Sequence, residues 1–326
     1  MNPRYRPLAA TTLIFIIAYA LCIFQYPGMW STRVVGNLLT DNAFLGIAAV
    51  GATFVILSGG IDLSVGAIIG LTGVVTAILI SWLGLHPLLV FAIVLVLAAS
   101  FGAGMGAVIH FLQVPPFIVT LAGMFLARGL ASVLTQDSIP IDHEFYRTIS
   151  TLYFKLPGGG RLSFIGMLML ATFVICGLIA HKTRFGSYVY AIGGNATSAS
   201  LMGVPTGRVT VGIYALSSFL GGLAGIVYSL YTSAGYPLAA VGIELDSIAA
   251  VVIGGTLLTG GYGFIFGTLI GVMLQGLVQT YIVFDGTLSS WWTKIAIGFL
   301  LFMFILLQKL VFSAHSGRSR LKKGPA

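Results

Sequence analysis

The chain has 326 residues, 58% hydrophobic and only 7% charged, where a soluble domain carries about a quarter charged; with a mean hydropathy of +1.04, this excludes a water-soluble globular protein. At about 20 apolar residues per helical crossing there is material for roughly eight to ten crossings, with little left for an extramembrane domain. In such a chain the net charge of +8 belongs to membrane topology rather than to nucleic acid.

The first apolar run, 8–26, follows Arg4 and Arg6 and reads as an uncleaved first helix, because further runs come after it. They fall at 43–57, 64–82, 88–112, 116–135, 162–180, 208–231, 245–258, 264–284 and 291–312. The pattern predicts an all-α, polytopic helical membrane protein of about ten transmembrane helices, a single transmembrane domain over 1–326. With the amino terminus in the cytoplasm, that side collects Arg4, Arg6, Lys182, Arg184, Arg208, Lys309, Arg318, Arg320, Lys322 and Lys323. The other side receives Arg33, Arg147, Lys155 and Arg161 beside Asp41, Asp137, Asp142, Glu144 and Asp285. This asymmetry satisfies the positive-inside rule and makes both termini cytoplasmic. An eight-span arrangement with re-entrant dips around Gly59 and Gly260 would move Lys182, Arg184 and Arg208 outside.

Sliding the sequence along itself by 201 residues superposes Ile47-Ala-Ala-Val50 on Ile248-Ala-Ala-Val251, Gly59-Gly60 on Gly260-Gly261, Gly66 on Gly267 and Ile69-Gly70 on Ile270-Gly271, without a gap. The gapless register reads as an internal repeat around 43–73 and 244–274, its copies running in parallel. In each copy a short apolar helix meets a Gly-Gly break, and a second helix then opens on GxxxG, a spacing that lets two helices approach closely in lipid. Paired broken segments in two halves point to a transport pathway, since irregular backbone at membrane depth persists only where it is buried or lines a cavity. Candidate pathway residues are therefore Ser58, Gly59, Gly60 and Asp62 in one break and Thr259, Gly260 and Gly261 in the other; Gly66, Gly70, Gly267 and Gly271 are candidate packing residues. Asp62 reads as a cap ahead of Ser64, or a contact to another subunit, rather than a proton carrier.

Two polar segments separate the runs. The longer, 136–161, contains Pro157-Gly-Gly-Gly160 and is expected as an external loop; 181–207 is expected as a basic cytoplasmic one, and 313–326 as a basic cytoplasmic tail. Within the second, Asn195 is a good N-cap, Ala196 to Met202 can make two helical turns, Gly203 suits the position after the C-cap, and Pro205 prevents continuation. This writes a short uncharged helix outside the membrane, with Ala196, Ala199, Leu201 and Met202 available to a partner surface.

Arg128, in the fifth run, is a charge at membrane depth and is expected to face the interior or water, either pairing with Glu244 or Asp246 or lining the pathway. Lys294 follows Trp291-Trp292 and reads as a snorkelling residue without chemistry. Asn42, Ser58, Thr259, Gln275, Gln279 and Thr280 are polar groups suited to a hydroxyl-rich solute. His143-Glu144 begins like HExxH, but Arg147 stands where the second histidine is needed, and His86, His110, His181 and His315 share no metal-ligand spacing. Cys22 and Cys176 lie in apolar runs and imply no disulfide framework. No metal or cofactor is expected. No lysine follows a glycine and precedes a hydroxyl residue, so the chain has no P-loop and cannot itself hydrolyse ATP.

Leu57-Ser-Gly-Gly-Ile-Asp-Leu-Ser-Val-Gly66, Ala191-Ile-Gly-Gly-Asn-Ala196 through Met202-Gly-Val-Pro205, and Leu245-Asp-Ser-Ile-Ala-Ala-Val-Val-Ile-Gly-Gly255 resemble the permease subunits of ribose-type sugar ABC importers. Thr40 to Gly46, Arg184-Phe-Gly186, Tyr190 to Ala199 and Phe284 to Lys294 are similar, more narrowly, to permeases of bacterial galactofuranose importers. The resemblance implies a multi-pass bacterial inner-membrane subunit that pairs with a second related permease, receives a monosaccharide from a periplasmic binding protein and is driven by a separate cytoplasmic ATPase. It makes 136–161 a periplasmic loop and assigns Asn195 to Met202, with Gly203 and Pro205, to the coupling helix that docks on the ATPase. In one respect the loop departs from the pattern, since Pro205-Thr-Gly precedes Arg208. The alternative from another class, an ion-coupled secondary transporter of a small polar solute, requires an intramembrane carboxylate, and the acids here fall near helix ends.

Overall fold

The computed structural model describes residues 6–321, and the side chains of residues 8–306; Arg4, Lys309 and the basic segment 313–326 lie outside the described side chains. Among the described residues the chain forms fourteen helices. Each predicted apolar run is one of them: α1 (Arg6–Gln25), α3 (Ala43–Leu57), α4 (Val65–Ser81), α5 (Pro87–Phe111), α6 (Pro116–Leu134), α8 (Phe164–Lys182), α11 (Thr206–Thr232), α12 (Ile243–Ile253), α13 (Ile265–Asp285) and α14 (Trp291–Leu321). The remaining four, α2 (Thr32–Asp41), α7 (Glu144–Thr151), α9 (Arg184–Gly194) and α10 (Ala196–Leu201), occupy polar stretches. Six helices are long and apolar enough to cross a membrane, and a seventh arises if α2 and α3, bent by 56°, count as one span. Of the other apolar runs, α3, α4 and α12 give shorter helices, of 15, 17 and 11 residues. At 11 residues, α12 reaches only about 16 Å and cannot cross alone.

The centre is α3, whose residues are buried all round, as a helix apolar on every face must be. It is enclosed by α8, α11, α12 and α13. On the outside of α11, α5 packs closely because Gly102 and Gly106 meet its backbone, where a Cβ would strike Tyr214 and Val211. A smaller core joins α12 and α13 to α14 through Ala249, Ile253, Leu274, Ile297 and Phe304.

The segment 136–161 is more ordered than a loop. β1 (Ile139–Pro140) pairs antiparallel with β4 (Ala234–Gly235), and β2 (Tyr153–Lys155) with β3 (Arg161–Ser163). Between them His143 caps α7, its Nδ1 accepting from the Phe145 N–H at 3.1 Å. Ile139, Ile141 and Tyr146 pack on Ala77, Ile80, Val90 and Val94, giving the segment a core of its own.

Both repeat copies have the same form. The second helix starts at 65 and at 265, and the first at 43 and 243, within one residue of the 201-residue offset. The copies differ at the break, where α12 stops earlier in register than α3 because Gly254 and Gly255 close it, Gly255 with φ +91°.

Candidate functional site

Three chain segments of unusual backbone meet at one end of the bundle. Gly59 and Gly260 adopt φ +84° and +80°, a region open to glycine without strain. They lie against each other, so that a Cβ on Gly260 would come within 2.7 Å of the Gly59 nitrogen. The Gly261 N–H donates to the Leu57 carbonyl at 2.9 Å, which ties the break of one copy to the end of α3 in the other. The third member is the end of α9. A Cβ on Gly193 would strike the Leu57 carbonyl and the Gly261 nitrogen, and Tyr190 Oη donates to the Gly263 carbonyl at 2.8 Å.

The short helix follows directly. Asn195 Oδ1 accepts from the Ser198 N–H at 2.8 Å, capping α10. Gly203 has φ +83°, and the bonds from Val204 N–H to Ala199 C=O and from Gly203 N–H to Ser200 C=O close the other end, the pairing that a glycine beyond the C-cap makes possible. Leu201 is 84% exposed and Met202 75%, at a short helix in a polar stretch where no membrane-length apolar run accounts for the exposure. Ala196 is exposed with them, but Ala199 is 1% exposed. It faces the bundle rather than a partner because its position on the helix is opposite to that of Leu201.

At the far end of α3, about 22 Å away by helix length, lies a cavity of about 480 Å³. It brings together Asn42, Gln275 and Gln279, three of the polar residues singled out by sequence, with Asp41, Phe44, Tyr231, Asp246 and Lys294, five that were not assigned to a pathway. The polar pair Asp41-Asn42 interrupting an apolar stretch was the signal available for one of them. Ser58 and Thr259 sit instead at the glycine junction, and Thr280 bonds to the Gly276 carbonyl within its own helix at 2.8 Å.

Lys294 has a specific partner. Its ammonium holds both Asp246 oxygens, at 2.8 and 2.6 Å, so it is more than a snorkelling side chain, and the pair forms part of the cavity wall. Arg128, in turn, does not bond to Asp246. Its Nη1 donates to the carbonyls of Pro237 and Ala239, at 2.6 and 2.7 Å, fixing the irregular 236–242 stretch ahead of α12. Gly70 makes room for that guanidinium and Gly66 for the Glu244 carboxylate, whereas Gly267 and Gly271 meet the backbone of Gly254 and Ala250. The GxxxG of the first copy therefore receives polar side chains, and that of the second packs against the end of α12.

Asp62 is 2% exposed and is held by three donors: the Ser64 N–H at 2.9 Å, Ser64 Oγ at 2.6 Å and Ser217 Oγ at 2.7 Å. A carboxylate so bonded organises the chain ahead of α4, and its burial leaves no face for another subunit. Among the described residues no cluster of three or more His, Cys, Asp or Glu could hold a metal ion.

Residues 34–306 match the family model described as branched-chain amino acid transport system / permease component. The chain is 62% identical over 309 residues, 95% of its length and 93% of the relative's, to the inner membrane ABC transporter permease protein YjfF of Escherichia coli. It is 37% identical over 312 residues, 93% of its length and 91% of the relative's, to the fructose import permease protein FruG of Bifidobacterium longum. Over 274 residues, 82% of the chain and 83% of the relative, it is 36% identical to the ribose import permease protein RbsC of Escherichia coli. No solved structure matches the chain.

Proposed function

The chain belongs to this permease-component family, as a multi-pass inner-membrane permease of the sugar ABC type that is not itself an enzyme, and from that premise we propose that it forms the translocation pathway of an ATP-driven monosaccharide importer. It pairs with a second related permease, takes sugar from a periplasmic binding protein, and is driven by a separate ATP-binding subunit. The end of the bundle with the glycine junction faces the cytoplasm, both termini lie on that side, and the ten apolar helices together make the transmembrane body. Its sugar is galactofuranose or a related aldose; the resemblance of Phe284 to Lys294 and Tyr190 to Ala199 to galactofuranose permeases supports that choice, and the names of the two import permeases above, which read fructose and ribose, support the monosaccharide class.

One observation carries this reading: α10 projects Leu201 and Met202 outward while the helix before it is wedged between both repeat breaks. A motor gripping α10 would pull on the two halves of the pathway together. Replacing both residues, Leu201→Asp with Met202→Asp, should abolish sugar-stimulated coupling in reconstituted vesicles, so that ATP is hydrolysed without uptake, with insertion unchanged. Normal uptake by that variant would remove the assignment. Uptake that survives ATP depletion but collapses with a protonophore would instead select the ion-coupled alternative.

A further inference from the structure

The cavity at the far end of α3 has more structure than a gap between helices. It is framed by five elements, the bend between α2 and α3, the end of α11, and the helices α12, α13 and α14, and its 480 Å³ lies within the range of about 300–1,000 Å³ typical of small-molecule sites. Gln275, 3% exposed, has its amide orientation fixed, because its Nε2–H donates to the Asp246 carbonyl at 3.0 Å. That leaves Gln275 Oε1 enclosed and without a hydrogen-bond partner among the described residues. An enclosed acceptor of this kind is costly unless something donates to it.

The surrounding groups specify what the donor is. Asp41 and Asp246 are set against one cation, Lys294, which is already bound by both Asp246 oxygens. An anionic ligand would meet net negative charge, and the carboxylate of an amino acid would find the ammonium engaged. Asp41 accepts from Tyr231 Oη at 3.2 Å and stays exposed at the rim with Gln279, where acceptor and amide groups suit hydroxyls. Phe44 packs against Tyr228 edge to face, ring centroids 5.1 Å apart, and against Tyr231 at 6.4 Å, giving an aromatic wall for an apolar ligand face. We propose that this cavity binds one neutral monosaccharide ring inside the single subunit, with Gln275 Oε1 accepting from a sugar hydroxyl and Phe44 and Tyr231 covering the C–H face of the ring. The proposal rests on the sugar-importer reading, and adds a binding site within one permease.

The test uses the full transporter in vesicles, with Cys22→Ser and Cys176→Ser as background. Ser290→Cys, a near-isosteric change at the cavity, is labelled with a membrane-impermeant maleimide, and Thr293→Cys serves as a second reporter. D-galactose, D-ribose, D-fructose and L-arabinose are offered as protectants, L-leucine as the counter-probe, and uptake is read in the same vesicles. The expected result is that an imported sugar slows labelling at both reporters and that Gln275→Leu weakens this protection about tenfold, as loss of one enclosed hydrogen bond implies. If a sugar is imported yet protects neither reporter, or protects equally well in Gln275→Leu, the cavity is not a sugar site and the importer reading stands. If only leucine is imported and protects, both fall.

Discussion

Arg128 illustrates how a single charge at membrane depth is made tolerable. Its guanidinium reaches across Gly70 to two carbonyls that belong to no helix, so one side chain and two backbone groups satisfy each other where water is scarce. Hydrogen bonds to a charged group contribute about 1.5–3 kcal/mol each. Arg128→Leu should therefore lower the melting temperature of the purified protein and impair uptake, and Gly70→Leu, which obstructs the same path, should match it; a melting curve unchanged in both would show that the 236–242 stretch holds itself. At Asn195 the stake is smaller. Removing an N-cap costs about 0.5–2 kcal/mol of helix stability, too little to unfold the protein but enough to fray a six-residue helix. Asn195→Ala should reduce uptake severalfold at unchanged protein level, and Asn195→Ser should restore it.

Helix pairs in this bundle are defined by where a side chain is missing. On α5, Gly102 and Gly106 face the α11 backbone, while a Cβ on Gly104 would meet nothing within 4 Å. The contrast makes a paired prediction within one helix. Gly104→Ala should be neutral or stabilising by about 0.5–1 kcal/mol through helix propensity, whereas Gly102→Ala should force α5 off α11 and reduce the amount of folded protein recovered from membranes. Equal behaviour of the two would contradict the close approach of these helices. Between the repeat copies, the hydroxyls of Thr53 and Thr268 bond at 2.8 Å. Thr53→Val should cost only about 0.6 kcal/mol, the average for such bonds between membrane helices, as read by a double-mutant cycle with Thr268→Val.

For the whole molecule, the two ends of the bundle carry different chemistry. One end has the glycine junction, α10 and the basic residues Lys182, Arg184 and Arg208; the other has the cavity and the ordered 136–161 segment. The proposed orientation predicts that a cysteine at Thr148, exposed on α7, is labelled by an impermeant reagent in intact cells, and that one at Ser187, exposed on α9, is labelled only after permeabilisation. Labelling of both from the same side would overturn the ten-helix arrangement. Because α3, α12 and α13 run from the junction to the cavity, a rearrangement at the glycines would also change the shape of the cavity wall.

Much of this was legible in the linear sequence, for identifiable reasons. Apolar runs long enough to be helices, the 201-residue register of the repeat, and the cap residues of α10 are local or periodic signals, and a signal of that kind needs no partner to be read. The helices α2, α7 and α9 were not legible from apolar runs because they are only 10, 8 and 11 residues long and carry their apolar residues on one face, so no run long enough to cross a membrane marks them. Which residues meet across the bundle was decided by tertiary structure alone: Gly193 against Leu57 and Gly261, Lys294 against Asp246, Arg128 against the 236–242 carbonyls, and Asn42 with Gln275 and Gln279 around one cavity. The physical reason is that in a chain this apolar, hydropathy is nearly the same on every helix face, so it places segments in the membrane but cannot say which faces touch. That choice falls to close packing at glycines and to the few polar groups that must find partners away from water.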